Sequence, residues 1–236
     1  PTNFSLVDVH QWMNSYAPIG YQLADAENLT AKMVVEGNFE WFLSWEDDNL
    51  APLNALVKIN EYMIKNDVPI VSGCYWTKSS PPEPILYRGT GRGYYADWKL
   101  GEKVWVDGIP FGFVLIHGSI IKALWDESPE YIVNGTVTRR VFGNPSESYI
   151  DPVTGGWMNM SGTTDLAFCK RVIDNDIFTK AGWPKFAKKE FPFLVDTTIF
   201  VKHIDRNTGV QYPISLPKAF LDGKITWREA LRILTA

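Results

Sequence analysis

The chain has 236 residues, 45% hydrophobic and 21% charged, a balance that excludes wholesale disorder and suits one large domain or two small ones. Its 23 Lys and Arg against 27 Asp and Glu leave a net charge of −4, with no general attraction for nucleic acid or anionic membrane. Two cysteines, Cys74 and Cys169, are too few for a disulfide framework or a metal cluster, and no apolar run approaches the roughly 20 residues that span a bilayer.

In chain order, the opening Pro1-Thr2-Asn3-Phe4-Ser5 lacks the basic-then-apolar order of a signal peptide. With cysteines that suit a reducing compartment, this predicts a cytoplasmic protein. Residues 6–13 read as an amphipathic helix, and 20–24 as a short strand. Asn28 is placed to cap a helix over 29–36. The aromatic run 39–45 predicts a buried strand, stopped by Glu46-Asp47-Asp48-Asn49. Pro52 then opens a helical pattern through Leu53, Leu56, Val57, Ile59 and Met63 to Lys65, and 68–75 is a further apolar strand.

Loops at 79–84 and 89–93 bracket a short strand at 85–87. Residues 111–116 read as a strand and 120–125 as the start of a helix. The Gly-, Pro-, Ser- and Asn-rich stretch 126–162 predicts a long, partly ordered excursion. A helix over 165–173, a strand over 197–201 and a last helix over 227–234 complete the pattern. The strand–helix–strand rhythm predicts an α/β fold whose sheet is mostly parallel and flanked by helices.

Three features could carry chemistry. Glu46-Asp47-Asp48 ends a strand, where ligands of open α/β sheets gather. Adjacent acids repel, and a hard divalent cation relieves that repulsion. Acids ahead of a helix also simply complement its positive end. Asp165 stands where Gly162-Thr163-Thr164 enters a helix, as a base or as an ordinary first-turn acid. His203 ends the apolar run Ile199-Phe200-Val201-Lys202, as a ligand or as a hydrogen-bonded structural histidine. Lys180, Lys185, Lys188 and Lys189 gather around Trp183 and Phe186, either as a solvated face or as a contact for an anionic acceptor.

In that order these stretches resemble the GT-A-type glycosyltransferases, family 2-like enzymes that use nucleotide diphosphate-sugar donors. The matching residues are the DxD-like Trp45-Glu46-Asp47-Asp48, then Val71-Ser72-Gly73-Cys74-Tyr75-Trp76. They continue with Asp107-Gly108-Ile109-Pro110-Phe111-Gly112-Phe113, Thr164-Asp165-Leu166-Ala167-Phe168-Cys169-Lys170-Arg171 and Val201-Lys202-His203. The resemblance covers about residues 20–205. It implies a Rossmann-like GT-A domain over 1–205, lacking the family's first strand, and a C-terminal extension over 206–236 with a terminal helix. Thr164 departs from the pattern, standing where many relatives carry an acid.

Carried over by position, the resemblance implies Asp48 and His203 as ligands of Mn²⁺ or Mg²⁺ and Asp165 as the general base. It implies Lys32, Glu46, Asp47, Asp107 and Lys202 around a UDP- or GDP-sugar. Trp76, Gly112 and Phe113 would face the acceptor, which could be a glycan, a lipid-linked group, a protein or a modified nucleic acid. The expected activity is metal-dependent sugar transfer. The same acids also fit a metal-dependent hydrolase of nucleotide sugars or phosphoesters, or a non-catalytic sugar- or nucleotide-binding protein of degenerate transferase fold.

Overall fold

The computed structural model describes residues 20–235 apart from 90–92, 151, 152, 154 and 156. The helix expected over 6–13 lies outside the described residues. The first described helix is α1 (Leu23–Glu36), so the strand expected at 20–24 is replaced by a helical turn. Asn28 is buried inside that helix instead of capping one. Its side chain donates to Tyr131 Oη and the Phe142 carbonyl, each at 2.9 Å, and accepts from the Phe142 amide at 2.7 Å. Tertiary partners thus satisfy the polar group that the sequence offered as a cap.

The chain continues through β1 (Trp41–Trp45), β2 (Asn49–Leu50), α2 (Ala55–Lys65), β3 (Ile70–Cys74), β4 (Lys103–Val106), β5 (Phe113–His117) and α3 (Gly118–Glu127). In place of the strand expected at 85–87, only Tyr87 forms isolated bridges, to Tyr94 and Gly108. The excursion at 126–162 is largely two antiparallel hairpins, β6 (Glu130–Val133) with β7 (Thr136–Arg139) and β8 (Ser146–Ile150) with β9 (Trp157–Ser161). The first turns at Asn134-Gly135, both at positive φ (45° and 82°), a pairing that matches the twist of a two-residue hairpin. Then come α4 (Thr164–Asp174), α5 (Ile177–Lys180), α6 (Pro184–Ala187), β10 (Phe193–Phe200), β11 (Lys202–Ile204), β12 (Gln211–Tyr212), α7 (Lys218–Leu221) and α8 (Trp227–Thr235).

The central five-stranded sheet has the order β1-β5-β3-β10-β4. Only β3 and β10 pair in parallel; β1 with β5, β5 with β3 and β10 with β4 are antiparallel. The mostly parallel sheet expected from the sequence is therefore corrected to a mostly antiparallel one in a mixed α/β fold. β1, β3 and β10 do run the same way, as the β1–α2–β3 rhythm implies. The returning strand β5 is inserted between β1 and β3, and its apolar run, buried from Phe113 to Ile116, carries no mark of direction.

A small antiparallel sheet, β12-β11-β2, sits beyond the end of β1. It pairs Lys202 with Leu50 and His203 with Asn49, and the Ile204 amide donates to the Asp48 carbonyl at 2.7 Å. This pairing carries a histidine from late in the chain to the acidic turn.

The C-terminal segment belongs to the same core. Trp227 and Phe220 pack with Trp76 and Trp98, ring centroids 4.9–6.4 Å apart, and all four side chains are buried. Trp227 and Arg228 amides donate to the carbonyls of Trp98 and Ala96, each at 2.9 Å. Cys74 and Cys169 are buried and unbridged. Among the described residues, no helix is long and apolar enough to cross a membrane.

Candidate active site

The acidic turn follows directly from β1. The Glu46 amide donates to the Gly112 carbonyl at 3.0 Å, and the Asn49 amide donates to the Glu46 carbonyl at 3.1 Å, closing the turn. Asn49 Nδ2 also donates to the Gly112 carbonyl at 3.0 Å, and Trp45 Nε1 donates to the Asn49 carbonyl at 3.0 Å. Glycine is required at 112 by close approach. A Cβ there would lie 2.6 Å from Asn49 Nδ2 and 2.9 Å from the Tyr75 ring.

This geometry separates the three acids. The Asp47 side chain is 82% exposed and pairs with Arg206, whereas that of Asp48 is 19% exposed. Glu46 faces inward, toward Asn49 and Tyr75. The repulsion of three adjacent carboxylates is reduced by turning the middle one to solvent.

His203 meets Asp48 across the small sheet. Its Nε2 lies 3.1 Å from Asp48 Oδ2 and 3.0 Å from Tyr75 Oη, and its Nδ1 lies 2.9 Å from the Trp76 carbonyl. A carbonyl only accepts, so Nδ1 carries the proton in that bond. Nε2 is left for Asp48 and Tyr75: carrying a proton it donates to the carboxylate, and in the neutral ring its lone pair accepts from the Tyr75 hydroxyl or is open to a metal, as in histidines that bind metals. Lys78 Nζ donates to the same Asp48 oxygen at 2.7 Å. Burial alone would raise the Asp48 carboxyl, but Lys78 and His203 outweigh it and hold the group below its ordinary value.

Other carboxylates crowd the same neighbourhood. Burial is the main cause that raises Glu46, followed by the charges of Asp48 and Asp165. Burial also raises Asp165, against the Thr163 hydroxyl and the Leu166 amide, which donate to it. Glu27, on α1, is pushed up to about 8, first by burial and then by Asp165 and Glu46, with the Thr164 hydroxyl opposing. That hydroxyl donates to Glu27 Oε1 at 3.0 Å, while Oε2 is buried with no hydrogen-bond partner. Glu46 feels both Asp48 and Asp165, so the acidic turn and the start of α4 share one electrostatic site.

The remaining expected site residues lie elsewhere or serve structure. Trp76 and Phe113 are fully buried, Trp76 in the aromatic core and Phe113 on β5 against Trp45, so neither side chain can face an acceptor. Gly112 packs behind the acidic turn, where it holds Glu46 and Asn49. Asp107 accepts from the Gly89 amide at 2.7 Å and fixes that loop. Lys32 donates to the Val137 carbonyl at 2.7 Å and pairs with Glu36 at 3.5 Å, so its ammonium is engaged at β7. Lys202 is exposed on β11, one residue before His203. The basic cluster is stitched to its own surface: Lys180 pairs with Glu127, and Lys189 sits 3.3 Å from the Trp105 ring centroid.

Glu27, Asn49, Tyr75 and Lys78 escaped sequence reasoning. Glu27 stands in an ordinary charged helix stretch, Tyr75 ends an apolar strand and Lys78 lies in a loop; none carries a local signal.

The Asp48–His203 spacing is that of a hydrogen-bonded pair and also that of two ligands on one divalent ion. Two ligands bound at about 2.0–2.3 Å and roughly 90° apart lie about 3 Å from each other, which the 3.1 Å separation matches. Among the described residues no group of three or more His, Cys, Asp or Glu converges as a protein cage, so water or substrate oxygens would complete the shell.

No family model matches this chain, and no curated protein matches it. Among solved structures, A197 from STIV is similar at 13% identity, covering 78% of this chain and 68% of that one, with a TM-score of 0.44.

Proposed function

We propose that the chain is a metal-dependent glycosyltransferase of GT-A type that moves a sugar from a nucleotide diphosphate-sugar to an acceptor hydroxyl. The observation that carries this reading is the meeting of Asp48 and His203 at 3.1 Å, from segments 155 residues apart, on the acidic turn whose Glu46 also feels the charge of Asp165. Asp48 and His203 would hold Mn²⁺ or Mg²⁺, which supplies Lewis-acid stabilisation of the leaving diphosphate. Tyr75 and the Trp76 carbonyl orient the imidazole, and Asn49 orients Glu46. Asp165, raised by burial, is a stronger base than an ordinary aspartate. It accepts the acceptor hydroxyl's proton as the sugar–oxygen bond forms. Glu46 and Asp47 belong to the acidic turn and Lys202 to its partner strand, where the reading has them meet the donor.

The test is incubation with UDP- and GDP-sugars and Mn²⁺, with and without an acceptor panel. Sugar transfer that is abolished by chelator and by His203→Ala is expected. Asp165→Asn should lower transfer by about 10²-fold or more while donor binding changes little. Sugar released to water at full rate without acceptor identifies a hydrolase instead. Binding without turnover on any acceptor identifies a binding protein.

A further inference from the structure

We propose that Lys78 is a built-in counter-cation for Asp48, occupying the carboxylate oxygen that a divalent ion needs, so that metal binding proceeds by displacing it. This rests on the reading of Asp48 and His203 as metal ligands and adds a control on that site. Lys78 Nζ and His203 Nε2 lie 2.7 and 3.1 Å from the same atom, Asp48 Oδ2. An ammonium and a divalent ion on one oxygen would be like charges a few ångströms apart. The site is partly withdrawn from water, with Asp48 and His203 side chains only 19% and 13% exposed, so their repulsion is weakly screened.

The loop that presents Lys78 is pinned on both sides. The Thr77 amide donates to the Glu83 carbonyl at 2.8 Å, the Glu83 amide donates to Thr77 Oγ1 at 2.9 Å, and Ser79 Oγ donates to the Pro81 carbonyl at 2.8 Å. Exchange therefore needs only rotation of the lysine's flexible four-carbon stem, whose side chain is already 32% exposed. Without the ammonium, Asp48 would face the nearby Glu46 carboxylate uncompensated, and a cation would be drawn in more strongly. Lys78 thus keeps the Asp48–His203 pair assembled before metal arrives and sets how tightly metal is held.

The test is titration of the full chain with Mn²⁺ alone, following free Mn²⁺ by electron paramagnetic resonance. Lys78→Met and Lys78→Gln should each bind one Mn²⁺ about tenfold tighter than wild type, and Lys78→Arg, which keeps the charge, should stay near wild type. The gain should vanish when Asp48→Asn is added to Lys78→Met. Equal affinity for wild type and both neutral variants would overturn the Lys78 proposal and leave the metal reading standing. No saturable Mn²⁺ binding in either neutral variant would overturn both. A gain that survives Asp48→Asn would place the ion elsewhere and overturn the displacement.

Discussion

Tyr75 and Trp76 are adjacent in the chain, yet they serve opposite regions. Tyr75 faces the acids, with its hydroxyl at His203, while Trp76 sinks into a buried aromatic cluster with Trp98, Phe220 and Trp227. The Trp76 carbonyl joins the regions by holding His203 Nδ1. The aromatic side is stabilised by burial, each large side chain contributing about 1.5–3 kcal/mol. The acidic side is held against its own repulsion by hydrogen bonds and cations. The first gives a rigid wall, and the second hangs a destabilised cluster of charges on it, as sites built for binding commonly do.

The largest expected effect breaks the wall. Trp227→Ala should cost about 3–5 kcal/mol in urea unfolding, because the cavity would open inside a closely packed ring cluster. A loss under about 1 kcal/mol would show that the C-terminal segment is dispensable to the core. Gly112→Ala should come next, at about 1–3 kcal/mol, since the new methyl must push Asn49 or Tyr75 out of place. It should also disturb the acidic turn, and circular dichroism melts alongside Mn²⁺ titration would register both consequences.

Glu27 sharpens the contrast through pH. Its folded value, about 8, lies above its unfolded value of 4.5, so the folded state binds more protons between them. The associated stability is fully present below pH 4.5 and is lost as pH rises through about 8. The limiting slope is about 1.4 kcal/mol per pH unit. Glu27→Gln should flatten that fall between pH 5 and 8, whereas an unchanged slope would assign it to Glu46 and Asp165. Asp48 acts oppositely: its lowered value gives stability that is lost as acid protonates it. At the small end, Asp47→Asn should shift stability by less than about 0.5 kcal/mol, because Asp47 and its partner Arg206 are both largely exposed.

Legibility in the sequence followed the range of the forces involved. The helices at 55–65, 118–127, 164–174 and 227–235 and the apolar strands at 41–45, 70–74 and 113–117 were readable because periodicity and flanking residues act locally, whereas β4 was not expected and β10 was expected only from 197. Strand direction was not, since β5 could enter the sheet either way. The hairpin at Asn134-Gly135 did carry a turn signal, masked by the polar composition around it. At the site, Glu46-Asp47-Asp48, Asp165 and His203 stood out as residue types at strand and helix ends. Trp76 and Phe113 could not be told from surface aromatics, because burial is settled by distant partners such as Trp227 and Trp45. Glu27 and Lys78 owe their character wholly to neighbours far along the chain.

The central claim, that Asp48 and His203 jointly hold a divalent ion for a nucleotide-sugar donor, is tested most directly by anomalous diffraction from crystals grown with Mn²⁺ and a nucleoside diphosphate. The account predicts one manganese peak within about 2.0–2.3 Å of Asp48 Oδ2 and His203 Nε2, touching the diphosphate. A manganese peak bound away from this pair, or nucleotide bound here with both side chains still paired to each other and no ion, would contradict it.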